Sequence, residues 1–303
     1  MASRSGCLKT TLFGCLGIIV LLIILAAAAG IMASRGMERA QVADQELLAA
    51  DAAEMPQPAA LARHAGRVVV DLAQGEFYLK PGEPGSGVRV KARFDQSSYR
   101  LEDSLEVLPD STWVYTVTYR RTTSGLVALA RAIMGEDQVS RVEVYLPPDV
   151  PVVLDLDIAQ GGAEVELGGL WLTEAEINYS QGGFELSFSE PLREPMERLV
   201  VAGNMGGFEA DRLGNASPSF LAVECRMGGG EIDLRGQWLN SADVMLEVSM
   251  GGMAVLVPDH MPVNGYDLLE QARPLSGGDP EVPTPELNIS VDQSMGEIEI
   301  IRR

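Results

Sequence analysis

The stretch Leu154-Asp155-Leu156-Asp157-Ile158-Ala159-Gln160-Gly161-Gly162-Ala163-Glu164-Val165-Glu166-Leu167 decides the fold. Apolar residues alternate with polar ones up to a glycine pair, then alternate again after it. A period of two marks a strand with one buried face. The same pattern recurs when the chain is aligned on Gly75, Gly161, Gly182, Gly206, Gly228, Gly251 and Gly296. Five residues before each glycine stand Val70, Leu156, Ile177, Val201, Val223, Leu246 and Val291. Two residues after each come Phe77, Ala163, Phe184, Phe208, Gly230, Met253 and Ile298.

From Gly161 to Gly251 the glycines are 21, 24, 22 and 23 residues apart. A period near 22 residues predicts an all-β solenoid in which each coil stacks on the last. The glycines read as structural repeat corners, because glycine adopts backbone angles that a Cβ forbids. No copy has a phosphate loop's lysine or a following helix. The wider gap from Gly251 to Gly296 predicts an extra coil or an excursion. Gln74, Gln160, Gln181, Met205, Met227, Met250 and Met295 stand immediately before the glycines. The inward phase, extended to that position, makes the methionines a buried ladder of flexible core fillers. A copper site would instead want such residues clustered and accessible, with histidine nearby.

Ahead of the regular repeat, Val68–Lys80, Val88–Phe94, Trp113–Arg121 and Val139–Leu146 read as strands. The apolar stretch from Ser124 to Gly135 reads as a cap over one end of the sheet, or else as a hydrophobic tip. The Pro- and Gly-rich stretch 272–285 reads as a loop.

Residues 12–33 carry no charge, and their heart is Leu16–Leu25. That length suits one transmembrane helix. Arg4 and Lys9 precede it without acids, which predicts a cytoplasmic N-terminus over 1–11 and an extracytoplasmic domain beyond. Small residues at Ala26–Ala29 and Ala33 leave a cleaved signal peptide as the alternative. Residues 34–65 read as a stalk, with helix formers from Met37 to Ala53 ended by Pro56 and Pro58. The solenoid domain is 66–303.

The formal net charge is −20 across 303 residues. Such a field repels nucleic acid and argues against it as a partner. Cys7, Cys15 and Cys225 offer no disulfide framework within the domain. With His64 and His260 as the only histidines, neither a zinc pattern nor a Ser-His-Asp set suggests itself.

The glycine-corner pattern, clearest in Val139–Gly169 and Ser249–Pro258, resembles the adhesin and "toastrack" β-domains of bacterial envelope proteins. It is also similar to the C-terminal domain of membrane-bound cell-wall-stress regulators. The resemblance spans 66–303 and implies a single-stranded, right-handed β-helix with a role in envelope sensing, scaffolding or adhesion. It supplies no catalytic residues or cofactor, and the single N-terminal anchor departs from the several-helix regulators.

The function expected is a non-enzymatic, membrane-tethered interaction module whose partner is an envelope protein or cell-wall component. One alternative is a β-helix enzyme acting on acidic polysaccharide through carboxylates such as Asp155, Asp157, Glu164 and Glu166. Their alternation with core residues instead predicts ordinary solvent-facing positions. The other alternative is a calcium-stabilised repeat, for which Gly228-Gly229-Gly230-Glu231-Ile232-Asp233 is a partial match.

Overall fold

The computed structural model describes residues 42–48, 65–123, 140–265 and 284–302. These form an all-β structure, a sheet of 13 strands. The strands are β1 (Val42–Leu48), β2 (Gly66–Pro81), β3 (Arg89–Asp95), β4 (Tyr99–Val107), β5 (Trp113–Arg121), β6 (Ser140–Leu146), β7 (Val152–Glu166), β8 (Leu172–Ser187), β9 (Arg198–Asp211), β10 (Phe220–Asp233), β11 (Ala242–Val257), β12 (Val263–Asn264) and β13 (Leu287–Arg302). Their order is β1-β3-β6-β2-β7-β8-β9-β10-β11-β13-β12, with β4 and β5 off this path.

From β7 to β11 every consecutive pair is parallel. Each strand runs through its glycine without breaking, so one strand carries both arms of a repeat. The links between strands are short and contribute to the same core as the arms. Leu167, Leu170, Phe188, Leu192, Leu213 and Leu234 all join it from these links. A 3-10 turn at Leu213–Asn215 lies in one of them.

Packing within this core is matched between neighbouring repeats. Tyr179 stacks on Phe184 with centroids 5.0 Å apart, and Phe184 stacks on Phe208 at 5.8 Å. Gly203, level with Tyr179 on the next strand, leaves the space that the Tyr179 ring fills. Aromatic stacks of this sort add to the area they bury.

On the side away from β7, β2 is paired by two separate strands. β5 pairs in parallel with Gly66–Leu72, ahead of the corner, and β6 pairs in parallel with Glu76–Pro81, beyond it. Tyr119 of β5 stacks on Tyr99 at 5.1 Å and meets Phe94 edge-on at 5.4 Å. Its hydroxyl lies 2.7 Å from Ser140 Oγ, which donates to the Gln74 carbonyl at 2.7 Å. Antiparallel partners then cover this end, with β4 on β5, β3 on β6 and β1 on β3. A change of direction and a charged edge both discourage continued parallel stacking.

Several expectations need correcting. Val42–Leu48, expected within a helical stalk, is a strand antiparallel to β3. Glu46 lies opposite Lys91 and Asp44 opposite Arg93, with ion-pair separations of 4.0 and 3.8 Å. Pairing with β3 along the whole strand, and Leu47 packed against the core, override a local helix propensity. Strand β4 is likewise absent from the sequence reading, since only Tyr99 and Leu101 are buried in it and Glu102–Val107 are exposed, which leaves almost no alternation to read. Between Gly251 and Gly296 the chain makes an excursion through β12 and returns as β13, which pairs directly with β11. The expected transmembrane segment 12–33, the apolar patch 124–135 and most of the loop 272–285 lie outside the described residues. Among the described residues no helix is long and apolar enough to cross a membrane.

Candidate binding surface

The site is built from columns of residues that occupy the same position in successive strands. The first is the glycine column. Gly75 pairs with Gly161, Gly161 with Gly182, Gly182 with Gly206, Gly206 with Gly228, Gly228 with Gly251, and Gly251 with Gly296. The φ angles of Gly161, Gly182, Gly206, Gly228 and Gly251 lie between 126° and 142°. L side chains rarely adopt this region. A Cβ on Gly161 would also collide with the Gly75 carbonyl oxygen, and each later glycine up to Gly251 meets its predecessor in the same way. Gly296 is not held at positive φ.

The second glycine of each pair behaves differently. Gly162, Gly183 and Gly207 have no positive φ, and an added Cβ there would meet nothing within 4 Å. In β7, β8 and β9 the first glycine is therefore the one required and the second leaves bare surface, whereas a Cβ on Gly229 would meet the Gly252 carbonyl oxygen at 3.2 Å.

The buried methionine ladder is overturned. Met205, Met227, Met250 and Met295 are 44, 40, 40 and 74% exposed. The cause is where the alternation breaks. In the repeat of β9, Gly203 and Phe208 are buried, while the four residues between them are not. The strand bends over this span, and the residue before the corner glycine falls on its outer side. In register, Met205 pairs with Met227, Met227 with Met250, and Met250 with Met295.

A third column lies beyond the corner. Glu164, Glu185, Glu209 and Glu231 are paired rung by rung and exposed. Parallel neighbours are about 4.8 Å apart, so this is a row of like charges on the outer face. At one end Lys80 Nζ lies 3.8 Å from Glu164. Two residues beyond Glu209 and Glu231 stand Asp211, half-buried, and Asp233, which is buried. Burial by itself raises the Asp233 carboxyl. Hydrogen bonds from Arg235 Nε, Nη2 and backbone N–H, each 2.8 Å, outweigh it and hold the group below the usual carboxylate range. Burial, followed by the Asp233 charge, pushes Asp211 upward.

The four carboxylates considered for catalysis do not gather. Asp155 and Asp157 precede the corner, while Glu164 and Glu166 follow it. Asp155 is raised first by burial and is paired with Arg67 at 2.9 Å. Glu166 clips the adjoining turns, accepting from Gly168 N–H at 2.6 Å, Ser187 Oγ at 2.8 Å and Ser189 N–H at 3.1 Å. Cys225 is buried, and burial raises its thiol.

Two open grooves complete the surface. One, about 440 Å³, runs across β1, β3 and β6, and its charges are paired among themselves. The other, about 220 Å³, sets Val200, Ala222 and Met245 beside Glu224, Glu247 and Asp292. Among the described residues no group of three or more His, Cys, Asp or Glu is placed to hold a metal ion.

No family model matches the chain, and no curated protein matches it. Solved structures do resemble it. A candidate cell adhesion protein from Clostridium sporogenes is 14% identical, with a TM-score of 0.40, over 87% of this chain and 100% of that one. A candidate adhesin from Bacteroides fragilis is 6% identical, with a TM-score of 0.31, over 86% of this chain and 97% of that one. A candidate lipid-binding protein from Parabacteroides distasonis is 10% identical, with a TM-score of 0.24, over 87% of this chain and 98% of that one.

Proposed function

We propose that the chain is a non-enzymatic interaction module of the cell envelope, tethered by residues 12–33 and displayed outside the membrane. The observation that carries this reading is the outer face itself. Identical side chains recur there in register, rung after rung, including Glu164, Glu185, Glu209 and Glu231. Such a face presents the same groups at strand spacing along its length, which suits an extended partner better than a small substrate. Its acidity favours a neutral or basic envelope protein or wall component and disfavours nucleic acid.

We also read the parallel strands as successive turns of one right-handed β-helix. The register of the glycine column, the 21–24-residue step and the core-facing links support that winding.

Protease added to intact spheroplasts tests the placement. Loss of the domain beyond Gly36, with the anchor retained, is the expected result. Full protection of the domain, while an extracytoplasmic control protein is cleaved, contradicts it. Binding of the released domain to envelope preparations tests the surface. Replacing Glu185 and Glu209 with Gln should weaken that binding, and an unchanged result would exclude the acidic row from the binding face.

A further inference from the structure

We propose that Met205, Met227, Met250 and Met295 form a site for a soft monovalent cation of the copper(I) and silver(I) class, held by thioether sulfurs from adjacent strands. Three observations lead to it. The methionines are consecutive rungs of one column and stand 40–74% exposed, so packing does not account for them. The same column holds Gln74, Gln160 and Gln181 in the earlier repeats, so the fold does not require methionine at this position. Two residues beyond Met205, Met227 and Met250 stand the second glycines Gly207, Gly229 and Gly252, so no side chain flanks the methionines at these positions.

The distances suit the chemistry. At metal–sulfur bonds of about 2.3 Å, the length zinc makes to thiolate sulfur, two sulfurs on one ion stand at most about 4.6 Å apart, and a larger soft ion widens that span. Parallel strands space the rungs at about 4.8 Å. The rotatable bonds of methionine close so small a difference. Thioethers by themselves select soft monovalent ions, so the histidine that other copper sites use is not required here, whereas calcium and magnesium take oxygen ligands. Arg226, the charged neighbour of Met227, is engaged by Glu224 at 2.6 Å. The net charge of −20 concentrates cations near the surface. A second copy of the chain is the poorer occupant. Four rungs span only about 14 Å, and a strip one side chain wide over that length does not amount to the roughly 800 Å² per partner of a stable interface.

Silver(I), which is redox-inert, is the probe. The full chain in detergent, labelled at the methionine ε-methyl carbons, is titrated and followed by NMR, with signals assigned from single Met→Leu variants. The ε-methyl signals of the four ladder methionines should shift together, while calcium and zinc leave them in place. M227L/M250L keeps the apolar surface and should weaken silver binding at least tenfold. A quadruple Met→Gln variant, which restores the residue of the earlier rungs, should fold and lose the site. The proposal is overturned if the four signals stay fixed at saturating silver, if calcium or zinc shifts them equally, or if M227L/M250L changes the affinity by less than twofold.

Discussion

The ring of Tyr179 lies in the space that a side chain on Gly203 would occupy. The two residues are partners on β8 and β9, and the ring continues from there into the stack with Phe184 and Phe208. Gly203→Val should therefore overpack the core and cost about 1–3 kcal/mol. In a Tyr179→Leu background the same change should cost less, with a coupling of more than about 0.5 kcal/mol. Chemical denaturation of the four proteins of the cycle measures it, and strict additivity would show that the ring and the glycine do not depend on each other.

The corner glycines make a sharper contrast. Gly251 has φ 126°, and a Cβ there would strike the carbonyl oxygen of Gly228. At Gly252 the nearest atom to an added Cβ is the Glu297 carbonyl oxygen at 4.0 Å. Gly251→Ala should cost more than about 3 kcal/mol, while Gly252→Ala should stay within about 0.5 kcal/mol of the parent. Similar unfolding midpoints for the two variants would mean that the pair, not its first member, makes the corner.

Inward and outward positions should differ as strongly. Val223 and Leu246 are cross-strand partners, 2 and 1% exposed, and Asp243 and Glu247 are exposed. Val223→Asp or Leu246→Asp places an unpaired carboxylate in the core and should cost several kcal/mol, about 3–5. Asp243→Ala or Glu247→Ala should change stability by about 0.5 kcal/mol or less. Equal effects in thermal melts would contradict the assigned faces.

Much of this arrangement is legible in the amino-acid sequence, for a physical reason. Alternation with period two reports which face is buried, and seven aligned glycines report which rungs match, so the columns through Val223 and Leu246 follow directly. The methionine column does not, because extending the alternation to Met205 assumes a straight strand, and the strand bends there. The edge strand Val42–Leu48 is hidden for another reason. Its partner strand, with Lys91 and Arg93 opposite Glu46 and Asp44, lies some 45 residues away along the chain, while its local composition favours a helix. The acidic row beyond the corner is readable as outward residues, but its continuity depends on the register between strands.

Acid titration should separate Asp211 from Asp233. Asp233 is held below its ordinary value, so its contribution is present above the unfolded carboxylate value of about 3.9 and lost as pH falls through the lower native value. Asp211 is raised, so its contribution is present below about 3.9 and lost as pH rises through the native value. Relative to the parent, Asp211→Asn should melt higher near neutrality and lose that advantage on acidification. Asp233→Asn should melt lower near neutrality and converge with the parent at low pH. Melts recorded from pH 2 to 7 show both trends, and parallel curves for parent and variants would contradict the assignment.

The repeated surface exists only if neighbouring repeats stand rung against rung, and engineered disulfides measure that directly. Glu185 and Glu209 are exposed partners on adjacent strands, and Glu209 is in turn the partner of Glu231. Adjacent rungs lie about 4.8 Å apart, within the Cα separation of roughly 4.4–6.8 Å that a disulfide spans. Rungs two strands apart lie about 9.6 Å apart, beyond that reach. With mild oxidation and mass spectrometry of the intact and digested protein, E185C/E209C should form an intramolecular disulfide, and E185C/E231C should remain reduced. Efficient closure of E185C/E231C, with E185C/E209C left open, would contradict the register on which the repeated surface is built.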